Sequence, residues 1–181
     1  IETLNSNAVD IMRFYMMWKS SPIDSLNFSL KEMSTRPYQV FSTLYHLHLF
    51  LLQNSSYDNF DSKNHSIQWA SEKSLLMPQE KWLLSKLQQI IKITYESNKE
   101  CRFQDSARAI EKFLIEDLSQ TYVPITRKGI WDDSYETLNR RLAIYATVSH
   151  ILKILDILIH PFSPYITEYL YQNIFHEKKS I

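Results

Sequence analysis

Arg127, Lys128 and Trp131 place two cations and a flat aromatic ring in one short stretch. A guanidinium and an ammonium can hold phosphate oxygens, and an indole offers a face on which an unpaired base can stack. Pro124 and Gly129 lie among them and are expected to disturb the helix, leaving the three side chains at a corner. Plainer readings stand beside this one. The cations also suit a solvated helix face or surface ion pairs with Asp132 or Glu136, and Trp131 suits a hydrophobic anchor.

Two elements must position that corner. Upstream, Ala107, Ile110, Leu114, Leu118 and Tyr122 recur at steps of three or four, so a helix is predicted from about Gln104 with these residues on one apolar stripe. Tyr122 is expected in the core, and Ser119 as a helix hydrogen-bond donor or small packing contact. Downstream, Asp132, Asp133 and Ser134 suit a helix start, because negative charge complements the N-terminal dipole. Leu138, Leu142, Tyr145, Val148, Leu152, Leu155 and Leu158 then predict a helix about seven turns long.

Composition narrows what such a corner can belong to. The 181 residues suit one domain, and 20 Lys plus Arg balance 20 Asp plus Glu, so any RNA site must be a local patch. A single glycine excludes Gly-rich phosphate loops, and a single cysteine excludes an intrachain disulfide or a thiolate-rich zinc site. Cys101 is expected to be a buried, inert thiol in a reducing compartment. No apolar run long enough for a bilayer is recognised, and a cytoplasmic protein is expected. No nucleophile with its base and no metal-ligand set can be named.

The rest of the chain reads as further helices. Asn7 suits a cap for a helix with Ala8, Ile11, Tyr15 and Trp18 on one face, ending at Ser20-Ser21-Pro22, after which Ile23, Leu26 and Phe28 read as a hydrophobic plug. Ser29 and Glu32 have capping-box spacing, and Pro37 predicts a kink or restart near Arg36. Val40, Leu44, Leu47 and Leu51 continue the seam. His48 belongs to its apolar side and His46 to the opposite face, so the two cannot chelate one metal. Residues 54–77 are expected to be a long loop pinned by Tyr57, Phe60 and Trp69. Pro78 starts a helix bearing Leu83, Leu87, Ile90 and Thr94, with Trp82 packing in the core. Pro161 and Pro164 separate the last two helices. The fold predicted is all-α, an antiparallel bundle of four to five helices built on two long hairpins.

Leu118, Ser119, Tyr122, Arg127 and Trp131 also fall on a pattern that resembles the helix leading into the anticodon-binding domain of class I aminoacyl-tRNA synthetases of the isoleucine, valine and leucine group. Val9-Asp10-Ile11-Met12-Arg13-Phe14-Tyr15 resembles that family's junction, and His160-Pro161-Phe162-Ser163-Pro164-Tyr165-Ile166-Thr167-Glu168 resembles its Pro-containing segment near the end of the bundle. Pro124, Thr121 and His160 depart from the usual residues, and His160 is read as structural. The wording at Ser20-Ser21-Pro22 and Gln120-Thr121-Tyr122-Val123-Pro124 is most similar to isoleucyl enzymes, with valyl and leucyl enzymes as alternatives.

The resemblance implies a junction at residues 1–24 and a helical anticodon-binding domain at 25–181. It further implies tRNA as partner through an anticodon stem-loop of isoleucine tRNA, with Asn139, Arg140 and Arg141 joining Arg127, Lys128 and Trp131. Catalytic and editing domains of the same polypeptide would carry the ATP and magnesium chemistry, with no cofactor in this fragment, because both ATP signatures of the family are missing from it. A monomer with no membrane partner is expected. A different class, a helical protein-interaction module without RNA contact, stays open at this point.

Overall fold

Between Leu138 and Ile159, Leu, Ile, Ala and Val are so dense that the helix has almost no solvent face of its own, and other helices cover it on most sides. By length and composition the stretch Tyr135–Ile159 would also serve as a membrane span, which corrects the expectation that no run is long and apolar enough. Its surroundings identify it as a core helix: 72% of its most apolar window is buried inside the bundle.

The computed structural model describes residues 9–21, 23–132, 134–175 and 179–181. The expected contributions of Asn7, Ala8, Pro22 and Asp133 fall outside these. In chain order the helices are α1 (Val9–Lys19), α2 (Leu30–Met33), α3 (Arg36–Tyr57), α4 (Ile67–Glu72), α5 (Pro78–Lys99) and α6 (Phe103–Lys112). A π-helical segment (Phe113–Tyr122) follows, then α7 (Val123–Trp131), a 3-10 turn (Tyr135–Thr137), α8 (Leu138–Ile159) and α9 (Pro164–Phe175). No strand occurs among the described residues. The architecture is the expected all-α bundle. α5 and α6 form a hairpin, α3 and α5 flank α8, and α9 packs on α8 and α3.

The predicted seams meet in one core. Val40, Leu44, Leu47 and Leu51 of α3, Leu83, Leu87 and Ile90 of α5, and the stripe Ala107, Ile110, Leu114, Leu118 and Tyr122 are all buried. Trp82 is half-buried against it. α1 joins the same core. Phe14 meets Phe41 and Phe162 edge-on at 5.3 and 6.2 Å, and Asp10 accepts a 2.6 Å hydrogen bond from the Ile166 amide at the start of α9. His48 is buried with Nε2 3.0 Å from Asp156 Oδ2, while His46 is exposed on the other face. His160 sits 3.0 Å from the Thr167 hydroxyl.

Local chemistry explains the breaks. Ser29 caps α2 by accepting from the Glu32 amide, but Glu32 does not return to Ser29. The Ser29 amide instead donates to the Tyr15 hydroxyl, which donates to Glu32 Oε2 at 3.0 Å. α3 restarts at Arg36 with Pro37 in its first turn, where a missing N–H leaves no bond unmade. The plug is only partial, since Ile23 is 93% exposed and Phe28 leans its ring on Tyr15. The 54–77 connection is shorter than expected: α3 runs to Tyr57, and Ser66 caps α4 within it. Phe60 and Trp69 pin it through His65, whereas Tyr57 is exposed. Cys101 is exposed, at φ 57° in the turn after α5, which corrects the buried thiol; its position is set by that left-handed turn.

Pro124 does not break the chain into a corner. In an ordinary helix its ring would strike the carbonyl four residues back and remove a bond. Here the preceding turns widen to the five-residue register, with the Val123 amide donating to the Leu118 carbonyl, and the helix continues through Pro124 and Gly129 to Trp131. Gly129 has ordinary backbone geometry, and an added Cβ would only touch Ile144 at 3.5 Å.

Candidate nucleic-acid interface

The widened turn decides which side of α7 faces water. Val123, Thr126 and Ile130 turn inward, and the Thr126 hydroxyl donates to the Tyr122 carbonyl at 3.1 Å. Pro124, Ile125, Arg127, Lys128 and Trp131 are therefore exposed on the opposite side. Trp131 is 70% exposed, so it is no hydrophobic anchor. The Arg127 guanidinium lies over its ring, 5.5 Å from the centroid. That contact orients the indole and leaves the cation's outer edge for an anion. Among the described residues neither Arg127 nor Lys128 has an ion-pair partner. Asn139 is also exposed, at the start of α8.

Arg140 and Arg141 turn away from this face. Arg140 donates to both oxygens of Glu80, at 3.0 and 2.7 Å. Glu80 is fully buried; it also accepts from the Met77 amide at 2.9 Å, capping α5, and from the Tyr122 hydroxyl at 2.8 Å. Burial, and then the Glu80 charge, raise the Tyr122 phenol well above its usual range, so it stays protonated and donates.

Arg141 repeats the arrangement on the other side. Its Nε and Nη2 donate to the two oxygens of Asp58 at 2.7 and 2.8 Å, and the Tyr145 hydroxyl donates to the same carboxylate at 2.9 Å. Nη1 holds the turn before α8 through the Asp132 carbonyl, the Ser134 carbonyl at 3.0 Å and the Thr137 hydroxyl at 2.8 Å. The Arg141 hydrogen bonds hold the Asp58 carboxyl below its ordinary range, against the opposing effect of burial. All three nitrogens of this guanidinium donate, and its side chain is only 4% exposed.

Asp58 and Glu80 were invisible as functional positions in the residue pattern. Glu80 carried one signal, since Met77-Pro78-Gln79-Glu80 places an acid where it can return to a helix start. Asp58 carried none, because its partner lies across the bundle. Among the described residues no group of three or more His, Cys, Asp or Glu side chains gathers to hold a metal.

An exposed ring flanked by cations on a rigid helical bundle is the kind of surface that takes single-stranded RNA by stacking and phosphate contact. Comparison with known proteins gives the class. Residues 80–181, more than half of the chain, match the family described as anticodon-binding domain of tRNA ligase, and the chain belongs to that family. Similar proteins include the isoleucine–tRNA ligase of Pyrococcus furiosus, 32% identical over 173 residues that make up 96% of this chain and 16% of that protein. That of Pyrococcus horikoshii is 31% identical over the same shares. The ligase of Methanothermobacter thermautotrophicus is 27% identical, again over 96% of this chain. The chain thus spans about 16% of the length of the curated relatives it matches.

Proposed function

We propose that this chain binds the anticodon stem-loop of an isoleucine tRNA, as the anticodon-recognising part of an isoleucine–tRNA ligase. Trp131 stacks on an unpaired base, Arg127 and Lys128 hold flanking phosphates, and Asn139 reaches a base edge. Arg141 contributes indirectly by fixing the turn between α7 and α8, and Arg140 by tying the start of α8 to Glu80, although Arg140 keeps a quarter of its side chain exposed and can add charge at the edge of the site. The observation that carries the reading is the 70% exposed Trp131 with Arg127 over its ring and, among the described residues, no carboxylate engaging either cation.

In this reading residues 1–24 form the junction to catalytic and editing domains of the same polypeptide, and 25–181 form the recognition domain, working as a monomer in the cytoplasm. ATP and magnesium belong to the catalytic domain, where they supply the adenylate that activates the amino acid. Binding of the anticodon here orients the distant acceptor end toward that chemistry. The test is titration of the chain with isoleucine tRNA and with its isolated anticodon stem-loop at several salt concentrations. Saturable binding that weakens with salt and prefers isoleucine tRNA is expected. Equal affinity for tRNAs of unrelated anticodons would overturn the assignment to isoleucine.

A further inference from the structure

Away from the corner, α3, the 58–66 connection, α8 and α9 line a half-open cavity of about 1000 Å3. Three of its lining residues are lysines: Lys63, Lys153 and Lys179. Three are aromatic: Phe60, Tyr171 and Phe175. Among the described residues one carboxylate lines it, Asp61, which is occupied by its own turn, accepting from the Lys63 amide at 2.9 Å and the Asn64 side chain at 2.7 Å. Lys63 and Lys179 are exposed, and neither has an ion-pair partner among the described residues. Lys153 holds its ammonium 5.1 Å from the Phe175 ring centroid, next to the cavity wall.

The rings are held from behind. Phe60 stacks on His65 and meets Tyr145 edge-on at 5.9 Å, and Phe175 meets the buried His48 at 5.5 Å. The walls are therefore set before any ligand arrives. Aromatic side chains beneath a cationic surface match one nucleotide: a base inside and its phosphate at Lys63 and Lys179. Ser149 of α8 lines this cavity and lies ten residues beyond Asn139 on the same helix, about 15 Å along its axis by helical rise.

We propose that this cavity is a second RNA subsite, taking one unpaired nucleotide of the same tRNA whose anticodon loop lies against Trp131. The proposal rests on the RNA-binding reading above and adds a recessed place for a base, in contrast to the open face of Trp131.

The test compares three proteins of full chain length by tRNA titration: the cavity charge variant Lys63→Glu with Lys179→Glu, the cavity-filling variant Ser56→Trp, and the corner variant Trp131→Ala. Ser56 is exposed on the last turn of α3, and the lysines are exposed, so melting curves should match the parent. The charge variant should bind tRNA roughly tenfold more weakly, with the salt slope reduced by about one to one and a half units for two phosphate contacts on a single strand. Ser56→Trp should weaken binding several-fold without changing the slope. Normal tRNA binding by both cavity variants, with Trp131→Ala impaired, would overturn the subsite and leave the corner standing. Loss in the cavity variants with Trp131→Ala unimpaired would uphold the cavity and remove the corner. If a free mononucleotide binds and the cavity variants abolish that binding but not tRNA binding, the cavity serves a small molecule and the proposal fails.

Discussion

Arg127 and Arg141 are the same side chain used in opposite ways on either side of one turn. Arg127 stands in water with a ring beneath it and no carboxylate paired with it among the described residues, whereas Arg141 is sealed against Asp58 with all three guanidinium nitrogens engaged. Arg140 is intermediate, paired with a buried Glu80 yet a quarter exposed. The difference teaches that a cluster of cations in sequence is a mixture of structural and available charge. Only geometry sorts them, because a buried guanidinium needs a carboxylate from a remote part of the chain. In the proposed reading this is also a division of labour: Arg141 holds the turn, and the exposed pair is left for the polyanion.

The comparison can be broken most forcefully at Arg141. Arg141→Ala leaves Asp58 charged and enclosed and frees the Asp132–Thr137 turn, so stability should fall by about 3–5 kcal/mol in thermal or urea unfolding. A melting temperature equal to that of the parent would show that the clamp carries no structure. Acid should reach the same pair by another route. Asp58 has a folded pKa below its unfolded value of about 3.9, so its contribution is fully present above that value and is lost as pH falls through the lower folded pKa. Asp58→Asn should therefore be less stable than the parent near neutrality, and the gap should close below about pH 4.

That asymmetry also explains what residue patterns could convey. The stripe from Ala107 to Tyr122, the seams of α3, α5 and α8, and the restart at Arg36 are local in sequence, because each follows from helical spacing or a proline. All appear as expected. Exposure of Arg127, Lys128 and Trp131 was only half legible. The residue types suggested phosphate and base, but the break expected at Pro124 is replaced by a π-helical widening through which the helix continues. The fates of Arg140 and Arg141 were not legible at all. Asp58 and Glu80 lie 83 and 60 residues earlier in the chain, and nothing near the arginines announces them.

On the exposed side, Trp131→Ala should weaken tRNA binding by roughly 1–3 kcal/mol with little change in salt slope, since stacking is not a counterion effect. Its melting temperature should stay close to the parent's, because the ring is mostly in water. A large fall in stability with intact binding would reverse the contrast between the two regions.

The smallest effect at physiological salt, and the sharpest on mechanism, comes from replacing Arg127 and Lys128 together by Ala. Neither cation is paired with a carboxylate among the described residues, so their removal frees no buried charge and the fold should be indifferent. Counterion release ties each phosphate contact to the slope of log affinity against log salt, at about 0.7 per contact on a single strand. The double variant should therefore flatten that slope by about one to one and a half units, while losing less affinity as salt rises. Arg140→Ala provides the internal control. Its charge is largely spent on Glu80, so its cost should appear in unfolding and only weakly in the slope. If the slope moved more for Arg140→Ala than for the Arg127 and Lys128 pair, available charge would lie on the clamp side of the turn, and the division drawn between the two regions would have to be inverted.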